Sequence, residues 1–191
     1  MTRDDAAPPA VEIRPLQPAE WAAVREIRLA ALAGAPDAFA STFEREEAFD
    51  EQEWRRRLAE TAYFGAWAAG PEAGLIGMVA AFPERPADGQ GAGADAAAAA
   101  GGGGGTWHLV AMWVSPDRRG QGIADRLVAA VCELARAQGA AQVALWVADA
   151  NPRAQAFYRR LGFRPSGERG VLHPGQPGQP DLWEARMTRD L

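Results

Sequence analysis

Two glycines that follow an apolar run are the residues of this chain best suited to holding a phosphate group. Gly120 and Gly122 stand in the segment Arg-Arg-Gly-Gln-Gly-Ile-Ala, after the apolar residues 109–114 and before a stretch with apolar side chains at helical spacing. A strand, a glycine-containing turn and a helix in this order direct unpaired backbone N–H groups and the positive end of a helix dipole at one point. Such a point binds phosphate, and glycine lets the backbone approach an anion closely or take a positive φ.

Two common phosphate-binding loops do not fit this turn. A Walker loop requires a Lys-Ser/Thr pair after its last glycine, whereas Gly122 is followed by Ile123 and Ala124. A dinucleotide-binding fingerprint requires three glycines spaced GxGxxG, and Asp125 occupies the third position. On its own, the remaining Gly-x-Gly is equally typical of a tight turn before an ordinary helix.

A tyrosine and an asparagine further along the chain form a second candidate for chemistry. Asn151 stands directly before Pro152, the order expected for an N-cap residue and the first residue of a helix. Tyr158 follows nearly two helical turns later, so both side chains lie on one face of the predicted helix. A helix cap and a core aromatic ring with its hydroxyl at the edge explain this pair equally well.

Taken together, the two segments resemble the signatures of the GNAT family of acyl-CoA-dependent N-acetyltransferases. The pyrophosphate loop of that family reads Gln/Arg-x-x-Gly-x-Gly/Ala after a strand that ends in Val-x-Pro, and it matches Val114, Pro116, Arg119, Gly122 and Ala124. The second signature, Asn-x-x-Ala-x-x-x-Tyr-x-x-x-Gly-Phe, matches residues 151–163. The resemblance covers the chain from about residue 11 onward and is most specific over residues 110–163.

The resemblance implies acetyl-CoA as the co-substrate. Its pyrophosphate would lie on backbone N–H groups, and its pantetheine arm would pair with the preceding strand and contact an asparagine. The cofactor-binding residues implied in this way are Met112, Trp113, Val114, Arg119, Gly120, Gln121, Gly122, Ile123, Ala124 and Asn151. Tyr158 would be the catalytic acid, because a phenol with a pKa of ~10 can protonate a departing thiolate whose thiol has a pKa of ~8.5. We expect no metal, since two separated histidines and one cysteine make no zinc-ligand spacing.

In the resembled family, the two N-terminal helices and the loop between them form one wall of the acceptor site. The candidate substrate-binding residues are therefore Phe39, Glu44, Glu46, Glu47 and, from a later loop, His173. A carboxylate among them would bind the ammonium group of an acceptor amine. The same acids are equally typical of a solvated connecting loop over residues 37–49.

An acceptor amine must lose a proton before it attacks a thioester, and the sequence leaves the base for this step open. Some family members carry a glutamate on the strand that corresponds to residues 143–147, where this chain has Leu145, Trp146 and Val147. The alternatives are a water chain or one of the side chains Glu46, Asp149, His108 and His173.

Positioning these groups requires an α/β domain of mixed α+β type. The resemblance implies the GNAT fold, with a central mixed, mostly antiparallel sheet of about seven strands, flanking helices and a splayed central strand pair. Apolar patterns predict strands near residues 11–14, 63–68, 75–82, 106–114 and 142–147, with a closing pair near 171–172 and 183–187. Spacing and capping signals predict helices at 18–33, from Asp50 onward, at 123–138 and at 152–161.

The domain organisation follows from composition. Residues 1–10 read as a flexible N-terminal tail, and residues 11–191 as a single domain. A low-complexity loop insertion is expected at residues 84–105, because a run of alanines followed by a run of glycines offers nothing to bury.

The net charge of −5 and a pI near 5.1 argue against a nucleic-acid or membrane-surface partner. The single cysteine excludes an intrachain disulfide, and the first residues lack the apolar region of a signal peptide, so a cytoplasmic location is expected. The implied partner is a small-molecule amine or a peptide, and dimers are common in the resembled family, so a homodimer is a further expectation.

Three classes of function fit these patterns. The first is a catalytic acetyltransferase whose acceptor amine attacks acetyl-CoA directly in a ternary complex, with small molecules competing against protein N-termini and lysines as acceptors. The acidic composition favours a cationic small molecule. The second is a noncatalytic acyl-CoA-binding or sensing module, against which the retained Tyr158 argues. The third is a structural α/β domain, which requires both motifs to be accidental.

Overall fold

The computed structural model describes residues 11–70, 73–84, 105–175 and 180–191. Within them, one seven-stranded sheet has the order β1-β2-β3-β4-β5-β7-β6. The strands are β1 (Val11–Pro15), β2 (Ala62–Ala68), β3 (Gly74–Pro83), β4 (Thr106–Val114), β5 (Gln142–Ala148), β6 (Arg164–His173) and β7 (Leu182–Asp190). The helices are α1 (Trp21–Gly34), α2 (Phe43–Glu47), α3 (Glu51–Glu60), α4 (Ile123–Ala137) and α5 (Pro152–Arg160). All pairings are antiparallel except β4 with β5, which confirms the expected mixed, mostly antiparallel sheet.

The two central strands separate soon after they begin. β4 and β5 pair only where Thr106, Trp107 and His108 lie opposite residues 142–144. Each strand then continues for several residues, β4 to Val114 and β5 to Ala148, without further pairing between them. This confirms the expected splayed central pair, and the separation leaves a gap in the middle of the sheet.

A bulge in β4 lies beside this gap. Val110 pairs with Ala80 and Trp113 pairs with Met78, so two residues of β4 stand opposite one residue of β3. Ala111, the first of the two, has a φ of 55°, which is uncommon for a residue with a Cβ. A bulge bends its strand and redirects the adjacent backbone groups. The uninterrupted apolar run of residues 109–114 gave no sign of it.

The core lies largely between α4 and the sheet. Leu127, Val128 and Val131 are fully buried on one face of α4, as the helical spacing of apolar residues predicts. Burying such a side chain stabilises the fold by about 1.5–3 kcal/mol. Cys132 is also buried, and burial raises the pKa of its thiol, so it packs as a small hydrophobic residue.

The N-terminal helices were predicted in part. α3 begins as expected, because Asp50 Oδ1 accepts a hydrogen bond from Glu53 N at 2.8 Å and the rings of Phe49 and Trp54 meet edge to face at 5.8 Å. The connecting loop expected over residues 37–49 contains a short helix, α2, which was not predicted. Its N-cap is Thr42, whose Oγ1 accepts a hydrogen bond from Arg45 N.

Two expectations fall on parts of the chain outside the described residues. These are the tail at residues 1–10 and nearly all of the insertion at 84–105. In the described part of the chain, no helix is both long and apolar enough to cross a membrane.

Candidate active site

A cleft of about 590 Å³ lies beside the end of β4, where this strand no longer pairs with β5. Its walls are the end of β4, the turn that follows, the first turn of α4, the inner face of α5 and the segment after α1. Of the predicted cofactor-binding residues, all except Gln121 line this large cleft, and Tyr158 and Phe39 line it as well. Segments far apart in sequence therefore meet here.

The turn between β4 and α4 presents a row of unused backbone donors to the large cleft. Among the described residues, no backbone hydrogen bond uses the N–H groups of residues 120–124. Gly120 and Gly122 have φ values of 79° and 74°, and a Cβ built on either would have no atom within 4 Å. Gly122 is also the N-cap of α4 and offers no side chain to its N–H groups. The open space, free donors and helix dipole together fit a diphosphate.

Arginines surround the same turn. Arg119 folds back on the strand, with its Nε donating to the carbonyl of Val114 at 3.0 Å. Arg160 forms an ion pair with Asp125 at 2.6 Å. Arg153 also lines the large cleft and makes no hydrogen bond or ion pair with a described residue, so its guanidinium is available to an anionic ligand.

Tyr158 places a phenol at the wall of the large cleft. The residue is 7% exposed, and its ring packs edge to face against Phe157 at 5.0 Å and Phe163 at 5.6 Å. Its hydroxyl makes no hydrogen bond with a described residue. Burial raises the pKa of the Tyr158 phenol, so the group remains protonated at neutral pH. Tyr158 therefore places a proton donor at the wall of the large cleft.

Asn151 has the structural role that the sequence indicates. Its Oδ1 accepts a hydrogen bond from Ala154 N at 3.0 Å and caps α5. The residue also lines the large cleft, and its Nδ2 group remains a donor there.

A second, smaller cavity of about 80 Å³ continues along β4. Residues 108–111 of β4 line this small cavity, whereas residues 112–114 line the large cleft. Ala38 and Phe39 line both, so the two spaces are neighbours on either side of the β4 bulge. The other lining residues include Arg28, Trp146 and Glu184.

The acids of α2 do not present a free carboxylate to either space. Glu46 is fully buried and binds Arg28 through two hydrogen bonds of 2.7 and 2.9 Å. Burial is the largest single influence and would raise the pKa of Glu46. The hydrogen bonds and charge of Arg28, together with smaller contributions from Ser41 and Arg57, outweigh it and lower that pKa. The Arg28 guanidinium lies 4.7 Å from the Phe39 ring, so Glu46 fixes the wall of the small cavity. Glu44 and Glu47 are exposed and line neither space.

The candidate bases are held in different ways. His108 lines the small cavity, is 2% exposed and stacks on the ring of Phe82 at 5.5 Å. Its Nδ1 lies 3.7 Å from a carboxylate oxygen of Glu84. Asp149 forms an ion pair with Arg169. His173 is the last residue of β6 rather than part of the following loop, and it lines neither space.

Sequence reasoning missed Glu184. This residue of β7 lines the small cavity, and burial raises the pKa of its carboxyl group against a smaller, opposite influence of His173. The available signal was weak but present. Glu184 is the only acid in residues 182–189, a run otherwise made of apolar, threonine and arginine residues.

A sheet opened between two parallel strands, a turn of free N–H groups and a buried phenol therefore occur together, as expected for the GNAT fold. The chain belongs to the acetyltransferase (GNAT) family, whose sequence profile matches residues 21–163.

Individual relatives agree with this family. Thialysine N-epsilon-acetyltransferase of Bos taurus is 32% identical over 90 residues, which are 44% of this chain and 53% of that protein. The chain spans about half the length of the curated thialysine acetyltransferases it matches. A GNAT acetyltransferase from Streptococcus pneumoniae has a similar fold, with a TM-score of 0.69, 13% identity and coverage of 95% of this chain and 100% of that one. Arabidopsis thaliana NAA60 in complex with acetyl-CoA gives a TM-score of 0.65 at 17% identity, covering 95% and 99%.

Proposed function

We propose that this protein transfers the acetyl group of acetyl-CoA to a primary amine of a small cationic molecule. One observation carries the proposal: unused N–H groups of residues 120–124 and the protonated phenol of Tyr158 face the same large cleft. The first binds a diphosphate and the second protonates a leaving thiolate. The two functions are needed together when acyl-CoA is the acyl donor.

The residues of the large cleft suit acetyl-CoA along its length. The N–H groups of residues 120–124 hold the diphosphate, and Arg153 is a free cation for a further phosphate. One edge of β4 pairs with β3, but the other edge of residues 112–114 has no strand partner in the described part of the chain. That edge is available to the amide groups of the pantetheine arm, which pair with it as an added strand would. Asn151 supplies a side-chain donor across the cleft.

The chain's own groups then serve the transfer. The bulge at Ala111 and Met112 lies where the two spaces adjoin, and a backbone N–H of β4 at this point polarises the thioester carbonyl. The acceptor nitrogen attacks the carbonyl carbon directly, within a ternary complex. Tyr158 donates its proton to the sulfur as the C–S bond breaks. Because a phenol of raised pKa is a weaker acid than a thiol, this proton transfer proceeds by coupling to bond cleavage and to the return of a proton from the amine nitrogen.

The acceptor class rests on charge and on size. The chain carries a net charge of −5, which attracts cations, and the small cavity, at about 80 Å³, favours a small amine group over a bulky acceptor. The bovine relative is named for a thialysine N-epsilon-acetyltransferase activity, which also supports a small primary amine.

A screen for acetyl-CoA-dependent release of CoA thiol tests the proposal. The acceptors are amines, amino acids, polyamines, aminoglycosides and peptides, each at several concentrations, with calorimetry of acetyl-CoA binding in parallel. We expect release with small cationic amines. Release with peptides alone would assign the protein to peptide acetylation instead, and tight binding without release for any acceptor would identify a sensing module.

A further inference from the structure

The small cavity contains a carboxyl group that forms no salt bridge with a described residue. Glu184 lines it, and makes no hydrogen bond or ion pair with any residue that the structure describes. The other acids near this region are engaged: Glu46 by Arg28, Asp149 by Arg169, and Glu84 by Arg186. A carboxylate left unpaired beside a cavity is positioned to meet a cation from outside the protein.

The residues around Glu184 determine which kind of ligand fits the small cavity. A Cβ built on Gly170 would lie 3.6 Å from Glu184 Oε1 and 3.4 Å from the ring of Trp146, so glycine leaves room beside both. Trp146 and Phe39 also line the cavity and give it aromatic walls. An alkylammonium ion matches this lining, because aromatic faces and a carboxylate both attract it.

The charged groups that face Glu184 come from several elements. His173 at the end of β6 acts on it electrostatically, and Arg28 of α1 and His108 of β4 line the same cavity. Arg28 is neutralised by its buried pair with Glu46. None of these groups forms an ion pair with Glu184, and burial raises the pKa of the Glu184 carboxyl group above its ordinary value.

We propose that Glu184 binds the ammonium group of the acceptor and removes its proton before transfer. This inference rests on the proposed acetyltransferase function and names its acceptor-binding catalytic residue. The small cavity adjoins the large cleft at the β4 bulge, where Ala38 and Phe39 line both spaces. An amine held by Glu184 therefore approaches from one side of the bulge while the acyl donor occupies the other.

The Glu184 carboxylate takes one proton from R–NH3+ and leaves neutral R–NH2, whose lone pair forms the new N–C bond. The C–S bond breaks, its electron pair goes to sulfur, and Tyr158 protonates that thiolate. The second proton of the amine nitrogen leaves through solvent as the amide forms and restores the Tyr158 phenol. Glu184 then releases its proton to solvent, so the products are R–NH–COCH3, CoA thiol and one H+.

A carboxyl group of raised pKa is a better base for this task than an ordinary one, because its proton affinity is closer to that of the amine. The sign of the pH dependence follows. The base works only when it is deprotonated, so kcat/KM falls as pH drops through the raised pKa of Glu184. The acid limb therefore lies above the pH range of an ordinary glutamate.

The test measures kcat/KM against pH for the wild type, for Glu184→Gln and for Glu168→Gln. The acceptor is the amine among lysine, cadaverine and spermidine that releases CoA fastest with the wild type. Glu168→Gln is the matched control, because Glu168 is an exposed acid of the adjacent strand paired with Arg186. We expect Glu184→Gln to lose about 10²–10⁴-fold in kcat/KM near neutral pH and to lose the acid limb. Glu168→Gln should match the wild type within about twofold.

The outcomes separate this inference from the proposed function. A Glu184→Gln protein that retains the wild-type acid limb and kcat/KM would overturn the role of Glu184 and leave the acetyltransferase intact. A wild type that binds acetyl-CoA but releases no CoA with any amine would overturn the proposed function itself. If Glu184→Gln does not fold, Gly170→Ala replaces it. The added methyl group lies in ordinary contact with Glu184 and removes solvent from it, so an acid limb that does not move upward counts against the inference.

Discussion

The large cleft and the small cavity lie side by side along β4 but are built from different kinds of groups. Backbone N–H groups of one continuous segment, residues 120–124, supply the donors of the large cleft. The small cavity is built from side chains of α1, the segment after it, β4, β5, β6 and β7. Under the proposed function, the acyl donor would be bound by local backbone geometry, whereas the acceptor amine would meet side chains that only the tertiary fold brings together. Four substitutions test this division.

Gly122→Trp should have the largest effect. A Cβ at Gly122 has open space ahead of it, so an indole there occupies the volume assigned to the diphosphate. We expect no detectable acetyl-CoA binding by calorimetry and no turnover.

Gly167→Trp is its matched control. Gly167 has a φ of 91° and an equally open Cβ direction, but it lies on β6 and lines neither space. Both variants carry the strain of a side chain at positive φ, about 1–2 kcal/mol. If Gly122→Trp and Gly167→Trp lose acetyl-CoA binding to the same extent, backbone strain rather than a blocked site is the cause. That result would contradict the proposal that backbone N–H groups of the large cleft bind the diphosphate.

Tyr158→Phe should come next. Removing the hydroxyl leaves the packing against Phe157 and Phe163 in place, so the fold and acetyl-CoA affinity should change little. We expect kcat to fall about 10²–10⁴-fold, the usual contribution of a general acid. Single-turnover kinetics together with calorimetry separate the two quantities.

Tyr63→Phe serves as the control, since Tyr63 is the only other tyrosine of the chain and lines neither space. Equal rates for Tyr158→Phe and the wild type would show that the large cleft binds without supplying the acid.

Glu46→Gln tests the wall of the small cavity. The variant leaves Arg28, which is 5% exposed, as an uncompensated buried charge. We expect a loss of about 3–5 kcal/mol in the free energy of unfolding at neutral pH, measured by urea denaturation. The exposed neighbour Glu47 provides the control Glu47→Gln, which should change stability by less than about 0.5 kcal/mol.

The pH dependence of this loss has a defined sign. The pKa of Glu46 is lower in the folded protein than in the unfolded chain. Its stabilising contribution is therefore fully present above the ordinary carboxyl pKa and disappears as pH falls through the lowered one. The difference in the free energy of unfolding between the wild type and Glu46→Gln should become smaller at acidic pH. A difference that stays constant down to low pH would contradict the ionised pair.

Asn151→Ala should have the smallest effect. It removes the cap of α5, which costs about 1 kcal/mol of stability. If the Nδ2 group also binds the pantetheine arm, the KM for acetyl-CoA rises while kcat is kept. Asn151→Asp retains the capping oxygen but lacks the Nδ2 donor. A rise in KM for both variants would show that the Nδ2 donor binds acetyl-CoA. A rise for Asn151→Ala alone would show that only the helix cap matters.

The elements around the large cleft could be predicted from the sequence because their determinants are local. The glycines of the turn, the cap at Asn151 and the buried stripe of α4 each depend on residues within a few positions of one another. The β4 bulge was not predictable, because Ala111 takes a positive φ that its apolar neighbours do not indicate. A register shift against β3 is a property of two paired strands.

The acceptor side was harder for a related reason. Glu46 looked like a loop acid, but a partner 18 residues earlier on α1 buries and neutralises it. Glu184 and Trp146 lie on neighbouring strands, β7 and β5, that are well separated along the chain. Only the sheet order brings that carboxylate to the cavity, and spacing patterns carry no information about sheet order.

Because β4 and β5 pair over only three residues, we expect ligand binding to raise the melting temperature of the protein. Among the described residues, only three residue pairs of the sheet join strands β1 to β4 with strands β5 to β7. A ligand in the large cleft contacts the end of β4 and also α5, which follows β5, and so connects the two groups of strands a second time. Since it binds only the assembled form, saturation at 100 times the dissociation constant stabilises the protein by about 2.7 kcal/mol. The melting temperature should then rise with acyl-CoA concentration, although the pairing between β4 and β5 itself does not change.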